Sequence, residues 1–454
     1  MPGKLSLDEL EAEVAGGTID TVLAVQVDMQ GRLMGKRFQA QFFLEGAAHE
    51  THSCNYLLAT DMEMHTVEGY RSTSWEAGYG DYTMVPDLDT LRRVPWLEGT
   101  ALVLCDVVDH ATHEPVPHSP RAVLKRQIAR LAERGLTAMC ATELEFFLFD
   151  RTFEEMRRGG HPADALISAF NEDYHIFQTT KEEDVMRAVR NGLNGADIPV
   201  ENSKGEASAG QEEINVRYAE ALATADRHAI LKNGIKEIAW AKGRAATFMA
   251  KWRDGSAGSS SHVHQSLREG DRAVFHDSDD PHGMSATMRA YMAGLLAHAE
   301  ATTLFLAPYV NSYKRFAAGT FAPTRIVWSM DNRTAGYRVV GEGTQAVRVE
   351  CRVGGADLNP YMALAAQIAA GLDGIDRDLE LEPAFSGDAY GAGATREIPR
   401  TLRAAIDAAD GSAALRAAMG DDVIDHYCHA ARWEQEVSDT RVSDVERMRL
   451  FEGA

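Results

Sequence analysis

The sequence predicts an α+β fold built around a mostly antiparallel sheet, on three observations. Strand-like runs alternate singly or in pairs with helix-like runs along the chain. Several of the strand-like runs carry ionisable residues two apart, a spacing that puts both on one face of a sheet. The 454 residues are 45% hydrophobic and 25% charged, an ordinary globular composition with ample core.

Taken in order, Ser6 and Glu9 have the spacing of a capping box and open a short helix that ends near Gly16-Gly17. TVLAVQVDMQGRLMGKRF then reads as a strand, a turn at Gln30-Gly31 and a returning strand. Residues 51–96, dense in Gly, Tyr, Asp and Pro, read as loop-rich. ALVLCDVV is a short buried strand and PVPHSP a linker, so the chain divides into residues 1–112 and 113–454. Ser119-Pro120 starts a helix whose Leu124, Ile128 and Leu131 share a face, with Gly135 as its stop. Residues 137–150, TAMCATELEFFLFD, form the central strand. Residues 161–180 are polar and irregular, an excursion outside the core, and Val185, Met186, Val189 and Leu193 then space out a helix closing at Gly195. ENSKGEASAGQEEINVRY, the long helix AEALATADRHAILKNGIKEIAW, and strands around 247–250 and 262–267 follow.

The charge balance excludes some functions. A formal net charge of −22 argues against nucleic acid or an anionic membrane as partner, since both need a basic face. No apolar run reaches the ~18 residues of a membrane span, and MPGKLSLDELEAEV lacks the apolar core of a signal peptide, which reads as cytoplasmic. Five scattered cysteines without CxxC suggest neither a disulfide framework nor a zinc site.

Chemistry concentrates in four segments. Glu143 and Glu145 aim to one side of the central strand. Glu206 and Glu213 bracket Gly210, where the chain can turn sharply and return the second carboxylate beside the first. His262, His264 and Ser266 share one face of a strand, as do Glu350 and Arg352. One such pair alone is better explained by a half-exposed strand with solvated acids; four segments of the same kind point to a site. Five Glu and two His with no cysteine suit hard divalent ions such as Mg²⁺ or Mn²⁺, and two ions imply phosphate chemistry. Lys314, Arg315, Arg333, Arg338 and Arg352 supply the cationic complement for carboxylate and phosphoryl oxygens. There is no GxxxxGK[ST], so ATP, if bound, is held through metal and arginine.

The ordered motifs TELEFFLF, GEASAGQEE, GSSSHVHQSL, NSYKRF, DNRTAGYRV and VECRVGGADLNPY resemble the type I branch of the glutamine synthetase family over nearly the whole chain. That resemblance implies an N-terminal β-grasp domain followed by the catalytic α+β domain. It also implies a homo-oligomer, a dodecamer of two hexameric rings whose C-terminal helix clasps the opposite ring. Position by position, Glu145, Glu206 and Glu213 match the ligands of one metal, and Glu143, His262 and Glu350 those of another. His264 and Ser266 match nucleotide or phosphate contacts and Tyr218 an aromatic near the adenine. Arg315, Arg352 and Gly258 match positions that hold L-glutamate, and Arg333 and Arg338 the arginines over the transferring phosphoryl group. The implied cofactors are ATP and two or more Mg²⁺ (or Mn²⁺).

The chain departs from true glutamine synthetases where ammonium binds. Phe321 stands where the family carries an acidic residue, and HSCNYLLATDMEM replaces the segment that supplies a second carboxylate. Ala257 and Ser260 replace an Asn and a Gly around the glutamate-binding turn. An aromatic in place of carboxylate favours an organic amine over ammonium. The resemblance thus implies a glutamate–amine ligase of the kind that makes γ-glutamylpolyamines or γ-glutamylethanolamide, with glutamine synthesis from ammonium as the alternative. A non-catalytic relative would have lost metal or phosphate positions, and all are present.

Overall fold

The computed structural model describes residues 3–391, 393 and 395–454. The helix Leu7–Ala15 opens the chain with the expected capping box. Six strands follow: β1 (Thr21–Val27), β2 (Leu33–Gln39), β3 (Thr51–Cys54), β4 (Asp81–Pro86), β5 (Arg92–Arg93) and β6 (Thr100–Asp109). They form one sheet in the order β2-β1-β6-β4-β3, with β5 added to β6. The pair β1/β6 is parallel and the other pairs are antiparallel.

β1 shows why this sheet forms. Its seven residues are mostly apolar, so both faces must be covered. Val22 and Ala24 pack with Ala101 and Val103 beneath Leu10 and Phe43, whereas Leu23, Val25 and Val27 join the main core with Leu102, Leu104 and Leu144. Residues 51–96 differ from the loop-rich expectation, because β3, β4 and β5 lie there. β4 alternates Tyr82, Met84 and Pro86 toward one side, a pattern short enough to be hidden by the surrounding Gly and Pro.

The second sheet comprises β7 (Thr137–Phe149), β8 (Val200–Gly205), β9 (Gln211–Val216), β10 (Ala219–Glu220), β11 (Ala245–Thr247), β12 (Ser261–Glu269), β13 (Arg272–Ala273), β14 (Trp328–Met330), β15 (Tyr337–Val340) and β16 (Arg348–Cys351). Its order is β14-β15-β16-β12-β7-β9-β8, with β10 and β11 on β7 and β13 on β12. Within this sheet, among the described residues, only β14/β15 pair in parallel, so the fold is α+β with a mostly antiparallel sheet. Helices Pro120–Ala132, Glu183–Gly195, Ala221–Ala241 and Pro360–Asp376 back this sheet with apolar faces that join the same core. Ser119 holds the N-cap position before Pro120, but its hydroxyl makes no capping bond. Residues 161–180 are less peripheral than expected: they fold into short helical turns, and Glu172 and Gln178 within them are buried.

Polar contacts join the two sheets. Arg121 pairs with Asp87 and Asp106 of the N-terminal part at 2.6 Å each and with Asp226 at 3.1 Å. Asn359 donates to the carbonyls of Asp28 and Met29, which docks the turn after β1 against the start of the helix Pro360–Asp376. The five cysteines are free, four of them buried. No helix is long and apolar enough to cross a membrane among the described residues.

Candidate active site

Strand register brings the scattered acids together. Residues directly opposite on neighbouring strands share a face. Glu213 of β9 stands opposite Glu145 of β7, and His262 of β12 opposite Glu143. His264 stands opposite Glu350 of β16, which in turn faces Arg338 of β15. A continuous row of ligating and charged side chains therefore crosses five strands on one face of the sheet. The opposite face, with Leu144 and Phe146, is core.

The row resolves into two groups. Glu145, Glu206 and Glu213 bring carboxylate oxygens within 4.8 Å of one another. Gly210, at φ +66°, makes the turn between β8 and β9 that returns Glu213 beside Glu206. Burial and mutual repulsion raise the proton affinity of both Glu145 and Glu213 well above the carboxylate norm. Three carboxylates so confined fit a hard cation, which removes that repulsion. Glu145 is oriented by the Ser260 amide at 2.9 Å, by the Ser260 hydroxyl, and by Gln211 at 3.2 Å. Lys204 pairs with Glu206, and Asn215 donates to Glu213 at 2.8 Å.

The second group is Glu143, His264 and Glu350, again within 4.8 Å. His262 joins it, with Nδ1 3.0 Å from Glu143 and 3.3 Å from Glu350. His264, expected at the nucleotide, also faces Glu143 through Nε2 at 2.8 Å, because its place two residues along β12 keeps it in the same row. Burial opposes ionisation of Glu143, yet hydrogen bonds from the two histidines outweigh it and hold the carboxyl far below the usual range. Glu350 is likewise held down to about 2: burial works against its charge, and His262 and Arg352 overcome that. A nitrogen- and oxygen-rich set of this kind also fits Mg²⁺ or Mn²⁺.

The arginines divide into roles. Arg338 donates to Glu350 at 2.9 Å and to Asp331 at 3.0 Å, and Arg352 pairs with Glu350. Arg333 is exposed on the turn before β15. Arg315, expected at the glutamate, is anchored to the backbone through Nη2. Its guanidinium is buried and donates to the carbonyls of Arg352, Val353 and Gly354. Gly258 makes room for it, since a Cβ there would stand 2.2 Å from the Arg315 stem. Phe321 follows Gly319 and has φ +57°, with 57% of its surface exposed. Arg352 holds its carbonyl at 3.3 Å, and the Tyr390 hydroxyl holds that of Ala322 at 3.2 Å.

Beside the second group lies a cavity of about 520 Å³ lined by Glu143, Asn215, Tyr218, His264, Ser266 and Arg348. Tyr218 and Ser266 thus lie at one opening with the ligating row. Arg348, which the sequence reading left out, donates Nε to His264 Nδ1 at 3.2 Å and so fixes that ring. Ser260 was noted only as a departure, and its hold on Glu145 was not foreseen.

Residues 117–450 match the model of the glutamine synthetase catalytic domain. The chain belongs to the glutamine synthetase family. As a member it is a ligase of nitrogen metabolism, and ATP and divalent metals are what enzymes of the family use. It is 46% identical to a gamma-glutamylethanolamide synthetase of Streptomyces coelicolor over 450 residues, covering 99% of this chain and 96% of that one. A glutamate–isopropylamine ligase of a Pseudomonas species is 35% identical over 440 residues, 96% of this chain and 95% of its own. The ligand-free structure of GmaS superposes with a TM-score of 0.85 at 26% identity, covering 98% of this chain and 99% of that chain.

Proposed function

We propose that this glutamine synthetase family member joins L-glutamate to a small organic amine at the expense of ATP, giving a γ-glutamyl amide, ADP and phosphate. The observation that carries the reading is Phe321, an aromatic where the ammonium-binding acid of the family stands. The names of the two relatives, one acting on ethanolamine and one on isopropylamine, support it.

In this reading the carboxylate row and its histidines hold two divalent ions, Mg²⁺ or Mn²⁺, whose charge offsets that of the ATP phosphates. Tyr218 and Ser266 border the cavity that takes the nucleotide. Arg352, braced from behind by the Arg315 contacts to its own backbone, orients the glutamate carboxylate. The γ-carboxylate oxygen attacks the γ-phosphorus, the bond to the ADP oxygen breaks, and Arg338 and Arg333 stabilise charge on the equatorial oxygens. The amine nitrogen then attacks the acyl carbon of γ-glutamyl phosphate, the carbon–oxygen bond breaks, and phosphate leaves as the amine loses its proton. Phe321 lines the entry for the amine, offering an apolar and cation–π surface worth ~0.5 to 2 kcal/mol. The C-terminal segment, charged but with the apolar side chains of Val442, Val445, Met448 and Phe451 exposed, supports a homo-oligomer in which this end is covered, a dodecamer by family likeness.

Labelling tests the chemistry. With ¹⁸O in the γ-carboxylate of glutamate, one labelled oxygen is expected in the released phosphate. Unlabelled phosphate would exclude the acyl phosphate route.

A further inference from the structure

Behind the active-site row, on the core face of the same sheet, lies a second acidic centre. Glu212 neighbours Glu213 on β9 and therefore points the other way, opposite Phe146 of β7 and Gly205 of β8. Glu172 and Glu182 reach it from the covering segment, and the three bring carboxylate oxygens within 4.8 Å of one another. All three are enclosed, at 0%, 0% and 1% exposure.

Enclosure alone would not make a site; the missing partners do. Both oxygens of Glu172, both of Glu182 and Oε1 of Glu212 lack any hydrogen-bond donor. The cations nearby are committed elsewhere. Lys181 bonds Gln178 and lies over the rings of Phe170 and Phe177. Arg190 pairs with Glu183 and bonds Ser203, and Lys204 pairs with Glu206. Buried carboxylates without counter-charge or donors are strongly disfavoured, so the three must either take up and share protons or meet a cation that all of them can ligate.

We propose that Glu172, Glu182 and Glu212 bind a structural divalent cation of the hard, oxygen-seeking class, separate from the ions of the active-site face. An all-carboxylate set suits Mg²⁺, Mn²⁺ or Ca²⁺ and disfavours zinc and copper. Such an ion ties the segment around Glu172 and the start of the helix Glu183–Gly195 to the back of the β8–β9 hairpin. The front of that hairpin carries Glu206 and Glu213, so the ion also stiffens the active-site carboxylates from behind.

The probe is Mn²⁺ alone, counted by elemental analysis after the EDTA-treated protein has been reloaded and desalted. Three equivalents per chain are expected, one for each acidic group, and one fewer in Glu182→Gln and in Glu172→Gln. Two equivalents in the wild type, or an unchanged count in folded variants, would mean that the carboxyls share protons instead and would overturn the site. Chymotrypsin gives a readout independent of both activity and count, since Phe170, Tyr174 and Phe177 are exposed beside the cluster. Mn²⁺ should slow cleavage there by about tenfold in the wild type and not in the variants. Equal protection in all three proteins would also overturn it.

Discussion

Arg352 links Phe321 to the ligating row: one arm of its guanidinium holds the Phe321 carbonyl at 3.3 Å while the other pairs with Glu350. The proposed amine selector is therefore hooked to the candidate metal-binding face by the Arg352 side chain. Phe321→Glu should restore a carboxylate at the amine entrance and raise the ratio of ammonium to amine turnover by about tenfold, the scale of a 1.4 kcal/mol change. An unchanged ratio would remove Phe321 as the selector.

Glu350 is fully buried and accepts from Arg338 and Arg352. Glu350→Ala should leave both arginines without their partner and lower kcat by about 10²–10³-fold, with an unchanged size-exclusion profile. Near-normal turnover would refute its place in the site.

Gly258 packs against the Arg315 stem and the Ala250 carbonyl, where an added Cβ would stand at 2.2 and 2.7 Å. Gly258→Ala is expected to cost about 1–3 kcal/mol in stability and to raise KM for glutamate, since Arg315 braces the backbone of Arg352. Thermal unfolding and glutamate saturation curves measure the two effects separately.

Arg121 is buried among Asp87, Asp106 and Asp226, with Tyr361 also bonded to Asp226 at 2.7 Å. Arg121→Met should destabilise by about 3–5 kcal/mol, because it leaves the buried carboxylate of Asp226 without its counter-charge. A denaturant midpoint equal to that of the wild type would contradict this role for the network.

Much of the site was legible because a strand has a period of two. The spacing of Glu143 with Glu145, and of His262 with His264, already put each pair on one face. Register was not legible: nothing local says that β12 pairs with β7 across more than a hundred residues, and that pairing is what sets His264 against Glu143. The inward turn of Arg315 was hidden for a related reason, since it depends on the space left by Gly258. Glu212 gives no signal in the sequence beyond standing next to Glu213, and only the fold of residues 161–182 over the back of β9 reveals its buried partners. Strands β3 and β4 were missed because their short runs sit among turn-forming residues, where tertiary pairing decides.

The most direct test of the amine-ligase reading is phosphate release from ATP with Mg²⁺ and L-glutamate, comparing ammonium with ethanolamine, isopropylamine, putrescine and spermidine at equal concentration. Strong turnover with one organic amine and little with ammonium is the predicted result. Efficient turnover with ammonium and none with the amines would contradict it and make the protein a glutamine synthetase that tolerates Phe321.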